Sequence, residues 1–197
     1  LYEASGDVRW LEESRALAER LIRDFQDPTT GDLFMTRAGH DPLVPIRARD
    51  DGDNVEPAAV SVAALTGLRL AAYFDDVFFR TAAEKALTAH AGIAAEEPRR
   101  FPYLLSALLF KLRTPVQIVI AGNPSTAATQ ALRREVNGRF LPFAILLAAD
   151  GGAAQTFLAK RLPAVAAMKP MQGAPTAYVC RDFTCREPAL SPAALGK

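Results

Sequence analysis

The spacing of hydrophobic and polar positions changes once along the chain, near Arg113–Pro115, from a helical period to short β-branched runs. Upstream, Trp10, Ser14, Leu17, Ala18, Leu21 and Phe25 fall at i, i+4, i+7, i+8, i+11 and i+15. That is one face of a helix, with Asp7 placed to cap it and Asp27-Pro28 and Gly31 placed to end it. Leu33–Thr36 reads as a short extended piece. After the polar stretch Arg47–Glu56, Pro57 suits the first turn of a helix that is apolar or small almost throughout Ala58–Phe74, the pattern of a helix buried on several sides. Asp75-Asp76 can start a third helix, running through Phe78, Phe79, Ala82, Ala86 and Leu87 towards Ala95, where Pro98 breaks it. A fourth, near Pro102–Leu112, carries Leu104, Leu105, Leu108 and Leu109. The loops are short, so neighbouring helices are expected to pack antiparallel.

Downstream, Val116–Ala121 (VQIVIA) is β-branched and bounded by Gly122-Asn123-Pro124, the mark of a strand. Ser125 can cap a helix through Asn137, with Gly138 as its stop. Phe143–Ala149 (FAILLAA) reads as a second buried strand, and Asp150-Gly151-Gly152 turns into a helix that Pro163 must kink or end. Thr176–Cys180 (TAYVC) is the third strand. Strand and helix alternate, which predicts a β-α-β-α-β unit with a three-stranded parallel sheet and right-handed crossovers. The expected fold class is therefore mixed α and α/β: helical hairpins over residues 1–114, a small α/β unit over 115–186, and a loosely held tail over 187–197.

Half of the 197 residues are hydrophobic, 23% are charged and the formal net charge is +1. This is the composition of a chain that buries a core, with no field to steer it to nucleic acid or a membrane surface. Lys and Arg are nowhere interleaved with aromatics in a run, so no nucleic-acid partner is expected. No apolar run approaches the roughly 20 residues that span a bilayer. The chain opens on Leu1, with no basic stretch ahead of an apolar core and cleavage site. Two cysteines do not make a secreted disulfide scaffold, and a cytoplasmic location is expected.

The densest polar cluster is Arg47, Arg49, Asp50, Asp51, Asp53 and Glu56. Two readings stand. Carboxylates sharing a cleft can be driven to different pKa values for acid/base work or can bind sugar hydroxyls. Alternatively, a solvated loop places negative charge at a helix N-terminus, which the helix dipole favours. Cys180 and Cys185, with four residues between them, are not a Cys-x-x-Cys site. They form either a reversible disulfide or two thiols packed as small hydrophobes. Neither they nor His40 and His90 supply a metal set, so no metal and no cofactor is expected. Gly122-Asn123-Pro124-Ser125 lacks the motif of a nucleotide site and reads as a βα turn. No catalytic residue is assigned.

Four segments carry a resemblance: LYEASGD (Leu1–Asp7), DNVEPAAVSVAAL (Asp53–Leu65), QIVIAG (Gln117–Gly122) and AYVCRDFTC (Ala177–Cys185). In order and spacing the chain resembles the C-terminal region of the thioredoxin-domain proteins typified by bacterial YyaL and the mammalian spermatogenesis-associated thioredoxin-like protein. The resemblance implies a parent with an upstream thioredoxin-like domain. It also implies that the helices here are part of an (α/α)6-type toroid similar to N-acylglucosamine 2-epimerases and six-hairpin glycosidases. Where that family usually carries Asp-Gly-Ala-x-Pro-Ser-Gly/Ala-Asn-Ser, this chain keeps Asp53, Pro57 and Ser61 but has Asn54 for Gly, Ala58 for Ser and Val60 for Asn; the side chains of Ala58 and Val60 neither donate nor accept.

Three functional readings follow. The first is a non-catalytic scaffold or interaction part of a thioredoxin-domain protein, with the parent's upstream domain and hairpins as partners and exposed helix faces favouring a homodimer. The second is part of the cavity wall of a carbohydrate-active, epimerase-like or glycosidase-like enzyme with a sugar ligand. The third is a redox-responsive module through Cys180 and Cys185. The isolated chain is not expected to be an enzyme; the parent is a candidate for carbohydrate or thiol-redox chemistry.

Overall fold

The computed structural model describes residues 1–39, 43, 46–181 and 184–196. Helix α1 is a single turn, Tyr2–Ser5, closed by Gly6 in the left-handed conformation (φ 78°). Helix α2 spans Arg9–Phe25, α3 Ala59–Phe74, α4 Val77–Ala89, α5 Ala91–Glu96 and α6 Pro102–Leu112. Strand β1 is Val116–Ala121, followed by α7 (Ala127–Asn137), β2 (Ala144–Ala149), α8 (Ala153–Ala159), β3 (Thr176–Arg181) and β4 (Thr184–Cys185). The chain divides into two compact units: a helical one, Glu13–Ala72 with Asp76–Arg113, and one of mixed structure, Leu1–Glu12, Tyr73–Asp75 and Thr114–Lys197.

In the helical unit the buried side of α4 is Phe79, Ala82, Ala83, Ala86 and Leu87, and that of α6 is Leu104, Ala107 and Phe110. Phe79, Phe101 and Phe110 are its largest fully buried side chains. A Cβ on Gly67 would lie 3.0 Å from the Cβ of Ala83, so glycine lets α3 and α4 approach closely. Two expectations need correction. Leu17, placed by spacing on the inner face of α2, is 67% exposed, and Leu11 and Ala18 are the buried positions. The helix expected to run from Asp75 to Ala95 is broken at His90, whose imidazole is drawn into the core beside Asp32 and the ring of Phe101. Asp76 caps α4 by accepting from the Phe78 N–H at 2.9 Å.

In the mixed unit the sheet has four strands in the order β2-β1-β3-β4. β1 and β2 are parallel, from Val116 opposite Ala144 to Ala121 opposite Ala149. The three-stranded parallel sheet is overturned at β3, which runs antiparallel to β1 from Ala121 opposite Thr176 to Gln117 opposite Cys180. The reason lies in the connection. Helix α8 has seven residues, about 10 Å at 1.5 Å per residue. A six-residue strand such as β2 is roughly 20 Å long. Pro163 then starts a 3₁₀ turn, Pro163–Ala167. The chain never returns to the end at which β2 began, and it enters β3 from the end at which β2 finished. The helix after β1 is capped by Thr126 rather than Ser125: Asn123 accepts from the Ser125 N–H at 2.9 Å and holds that residue in the preceding turn.

Ile118, Ile120, Leu132, Val136, Leu146, Ala177 and Ala189 form the core between the sheet and α7. The free edge of β2 is covered by α1: the Tyr2 hydroxyl accepts from the Ala148 N–H at 3.0 Å and the Glu3 carboxylate from the Leu146 N–H at 3.3 Å. The Tyr73 hydroxyl donates to Glu3 and packs edge-on to Tyr2, with ring centroids 5.5 Å apart. In the stretch read above as a tail, Ala189 exchanges backbone hydrogen bonds with Ala177 at 2.8 and 2.9 Å, and residues Pro192–Gly196 form a 3₁₀ turn.

Candidate functional site

The polar loop ahead of α3 holds all six residues singled out by composition, and the helical unit uses them in different ways. Asp50 accepts from the Ala59 N–H at 2.9 Å, at the start of α3. Asp53 reaches two helices at once. One carboxylate oxygen accepts from the Ala58 N–H at 2.8 Å; the other accepts from the Tyr103 N–H at 2.7 Å and the Leu104 N–H at 3.3 Å, in the first turn of α6. Backbone donors that have no partner within their own helix are thereby satisfied, and the negative charge sits at the positive end of two helix dipoles. The Asp53 N–H in turn donates to the Arg100 carbonyl at 2.8 Å.

Arg47 donates to the Thr36 carbonyl at 2.6 and 3.1 Å and to the Asp24 carbonyl at 3.2 Å, with its guanidinium 3.8 Å from the Phe34 ring centre. Arg49 lies over the same ring at 4.3 Å and pairs with Asp27 and, at 3.7 Å, with Asp32. The Thr29 N–H, ahead of Thr30 and the Arg49 guanidinium, holds the Asp27 carboxyl below its usual range. Asp51 is 92% exposed at its side chain and pairs with Arg100 at 3.2 Å. The Glu56 side chain is exposed. The structure thus joins Arg49 to acids outside the cluster and turns both Asp50 and Asp53 to the start of α3, where they accept from the successive N–H groups of Ala59 and Ala58.

One arrangement escaped the sequence. His90 Nε2 lies 2.9 Å from the Asp32 carboxylate, which also accepts from the Leu33 N–H at 2.7 Å; both residues are 7% exposed. His90 Nδ1 is buried without a hydrogen-bond partner among the described residues. The two residues are 58 positions apart, and no local spacing announces the pair. His40 lies outside the described residues.

Cys180 and Cys185 are disulfide-bonded. The register of β3 and β4 sets them directly opposite each other. Cys180 is 4% exposed and Cys185 is on the surface. Of the two arrangements left open by sequence, the bonded pair is the one adopted. No group of three or more metal-ligating side chains occurs among the described residues.

The chain is 32% identical to human spermatogenesis-associated protein 20 over 197 residues, which is all of this chain and 25% of the human protein. The mouse and rat proteins of the same name match over the same extent at 32%. The chain is related to the C-terminal quarter of spermatogenesis-associated protein 20. That relative is a thioredoxin-domain-containing protein, of the kind whose motifs were quoted above, and this chain spans about a quarter of its length. No protein-family model matches the chain. The match covers the whole of this chain, its polar loop and cysteine pair included, and the relatives found are mammalian. No helix among the described residues is long and apolar enough to cross a membrane.

Proposed function

We infer that this chain is a non-catalytic scaffold and interaction region of a longer thioredoxin-domain protein. The observation that carries the reading is the outer face of α6. Leu105, Leu108, Leu109 and Leu112 stand at i, i+3, i+4 and i+7, opposite the buried Leu104, Ala107 and Phe110. Leu108, Leu109 and Leu112 are 37%, 47% and 70% exposed. A second apolar stripe on a helix that already has a core face suits a surface made to be covered. The occupant this reading names is the upstream part of the longer protein, with its helical hairpins completing an (α/α)6-type ring; a second copy of the chain is the competing occupant.

The state of the polar loop agrees with a structural part. Both oxygens of Asp53 and one of Asp50 are engaged by backbone N–H groups at helix starts, whereas a general acid or base needs an oxygen free to reach substrate. Ala58 and Val60, where the family pattern has Ser and Asn, are 3% and 1% exposed, which gives the sugar-cavity reading no support. The test is sedimentation of the chain with and without a separately produced upstream portion of the longer protein. Formation of a one-to-one complex, lost in Leu109→Asp/Leu112→Asp, is expected. A chain that stays monomeric at high concentration and ignores the upstream portion refutes the reading, as does turnover of any sugar by the chain alone.

The disulfide favours a second reading, a redox-responsive module. Cys185 is accessible to an attacking thiolate, and exchange proceeds by such attack on a disulfide sulfur. Alkylation before and after incubation with a reduced thioredoxin, read by mass spectrometry, tests it. Labelling of both cysteines only after incubation is expected; a bridge that resists the reduced thioredoxin excludes the reading.

A further inference from the structure

The side of the sheet that faces α7 is not filled along its whole length. Where β1 and β2 begin and β3 ends, a groove of about 430 Å³ opens between the strands, the end of α7 and the C-terminal 3₁₀ turn. Its floor is apolar, made by Val116, Ile118, Val136 and Val179, and its rim carries Arg139, Arg181 and Arg186. The strand register brings two of those arginines together. Cys180 opposite Cys185 sets Val179 opposite Arg186, whose N–H donates to the Val179 carbonyl at 2.9 Å. Side chains alternate between faces along a strand, so Val179, Arg181 and Arg186 share the groove side while the bridged cysteines occupy the other.

The three arginines differ in state. Arg139 is neutralised by Glu135 at 2.7 Å and donates to the Leu195 carbonyl at 3.1 Å. Arg181 and Arg186 have no carboxylate partner among the described residues. An apolar floor beside these two guanidinium groups is complementary to a molecule with an apolar body and one anionic head, because the planar guanidinium fork matches a carboxylate. The volume lies within the roughly 300–1,000 Å³ of small-molecule pockets. The adjoining edge strand, β4, has two residues and offers little backbone for an added peptide strand.

We propose that this groove binds a small amphipathic carboxylate, with its aliphatic or aromatic body on the valine and isoleucine floor and its head at Arg181 and Arg186. The test is calorimetric titration of the whole chain with decanoate, decan-1-ol and acetate, the last two supplying the body and the head alone. Decanoate saturates at millimolar concentration or below, and each half-ligand binds at least about tenfold more weakly. Arg181→Gln/Arg186→Gln lowers decanoate affinity to that of decan-1-ol with the circular dichroism unchanged, whereas Arg161→Gln, outside the groove, leaves it alone. The proposal is overturned by any of three results: no saturation with decanoate, equal binding of acid and alcohol, or full decanoate affinity in the double variant.

Discussion

Replacing Asp53 with alanine removes one side chain but releases donors of two helices. Its carboxylate accepts from the Ala58 N–H at 2.8 Å ahead of α3, and from the Tyr103 and Leu104 N–H groups at 2.7 and 3.3 Å at the start of α6. Loss of a single cap costs about 1 kcal/mol and up to about 2 where the site is well formed. Ala58 is 3% exposed, so water does not readily take the place of the lost acceptor. Two caps together give an expected loss of about 2–4 kcal/mol for Asp53→Ala. Asp53→Asn keeps one acceptor oxygen but turns its amide towards the other helix, and is expected to lose about half as much. Urea unfolding followed by circular dichroism reads the change. With a slope of about 2 kcal/mol/M, the midpoint of the helical unit falls by about 1–2 M for the alanine variant. Glu56→Ala, at an exposed position of the same loop, stays within about 0.5 kcal/mol of the parent. An Asp53→Ala midpoint indistinguishable from that of Glu56→Ala refutes the reasoning, because the loop would then be a solvated run of charge and not a fastening between helices.

Three further outcomes are expected. Burial pushes the Tyr2 hydroxyl up to about 12. Because the unfolded chain ionises first, near pH 10, the stability held by the neutral phenol is complete below pH 10 and is lost as pH rises towards 12, by about 1.4 kcal/mol at pH 11. Urea midpoints at pH 9 and 11 should show this decline in the parent and a smaller one in Tyr2→Phe; equal declines count against it. For the buried pair, a double-mutant cycle of Asp32→Ala and His90→Ala should give a coupling energy of about 1–3 kcal/mol, and strict additivity would remove the pair from the account. Phe79, fully buried on α4, should cost about 3–5 kcal/mol when cut to alanine, measured by thermal or urea unfolding.

Helix-rich and strand-rich halves, and most helix and strand bounds, were legible from the residues because each depends on contacts a few positions apart. VQIVIA is a strand wherever it sits, and Pro102–Leu112 is a helix as soon as its own spacing is read. The resemblance to thioredoxin-domain proteins was equally legible, since AYVCRDFTC and its companions are matters of order along the chain.

What the residues could not decide was everything set by a partner far away in sequence. The direction of β3 depended on how far a seven-residue α8 carries the chain, and alternation of strand and helix is the same for either direction. The end of α4 at His90 was fixed by Asp32, 58 positions upstream. The role of Asp53 turned on the N–H groups of Tyr103 and Leu104, which only packing brings to it. Charge density marked the loop as a place of interest, but charge alone does not distinguish a carboxylate waiting for substrate from one already bound to a helix end. That distinction is geometric: it rests on which donors lie within about 3 Å, and the fold, not the local sequence, places them there.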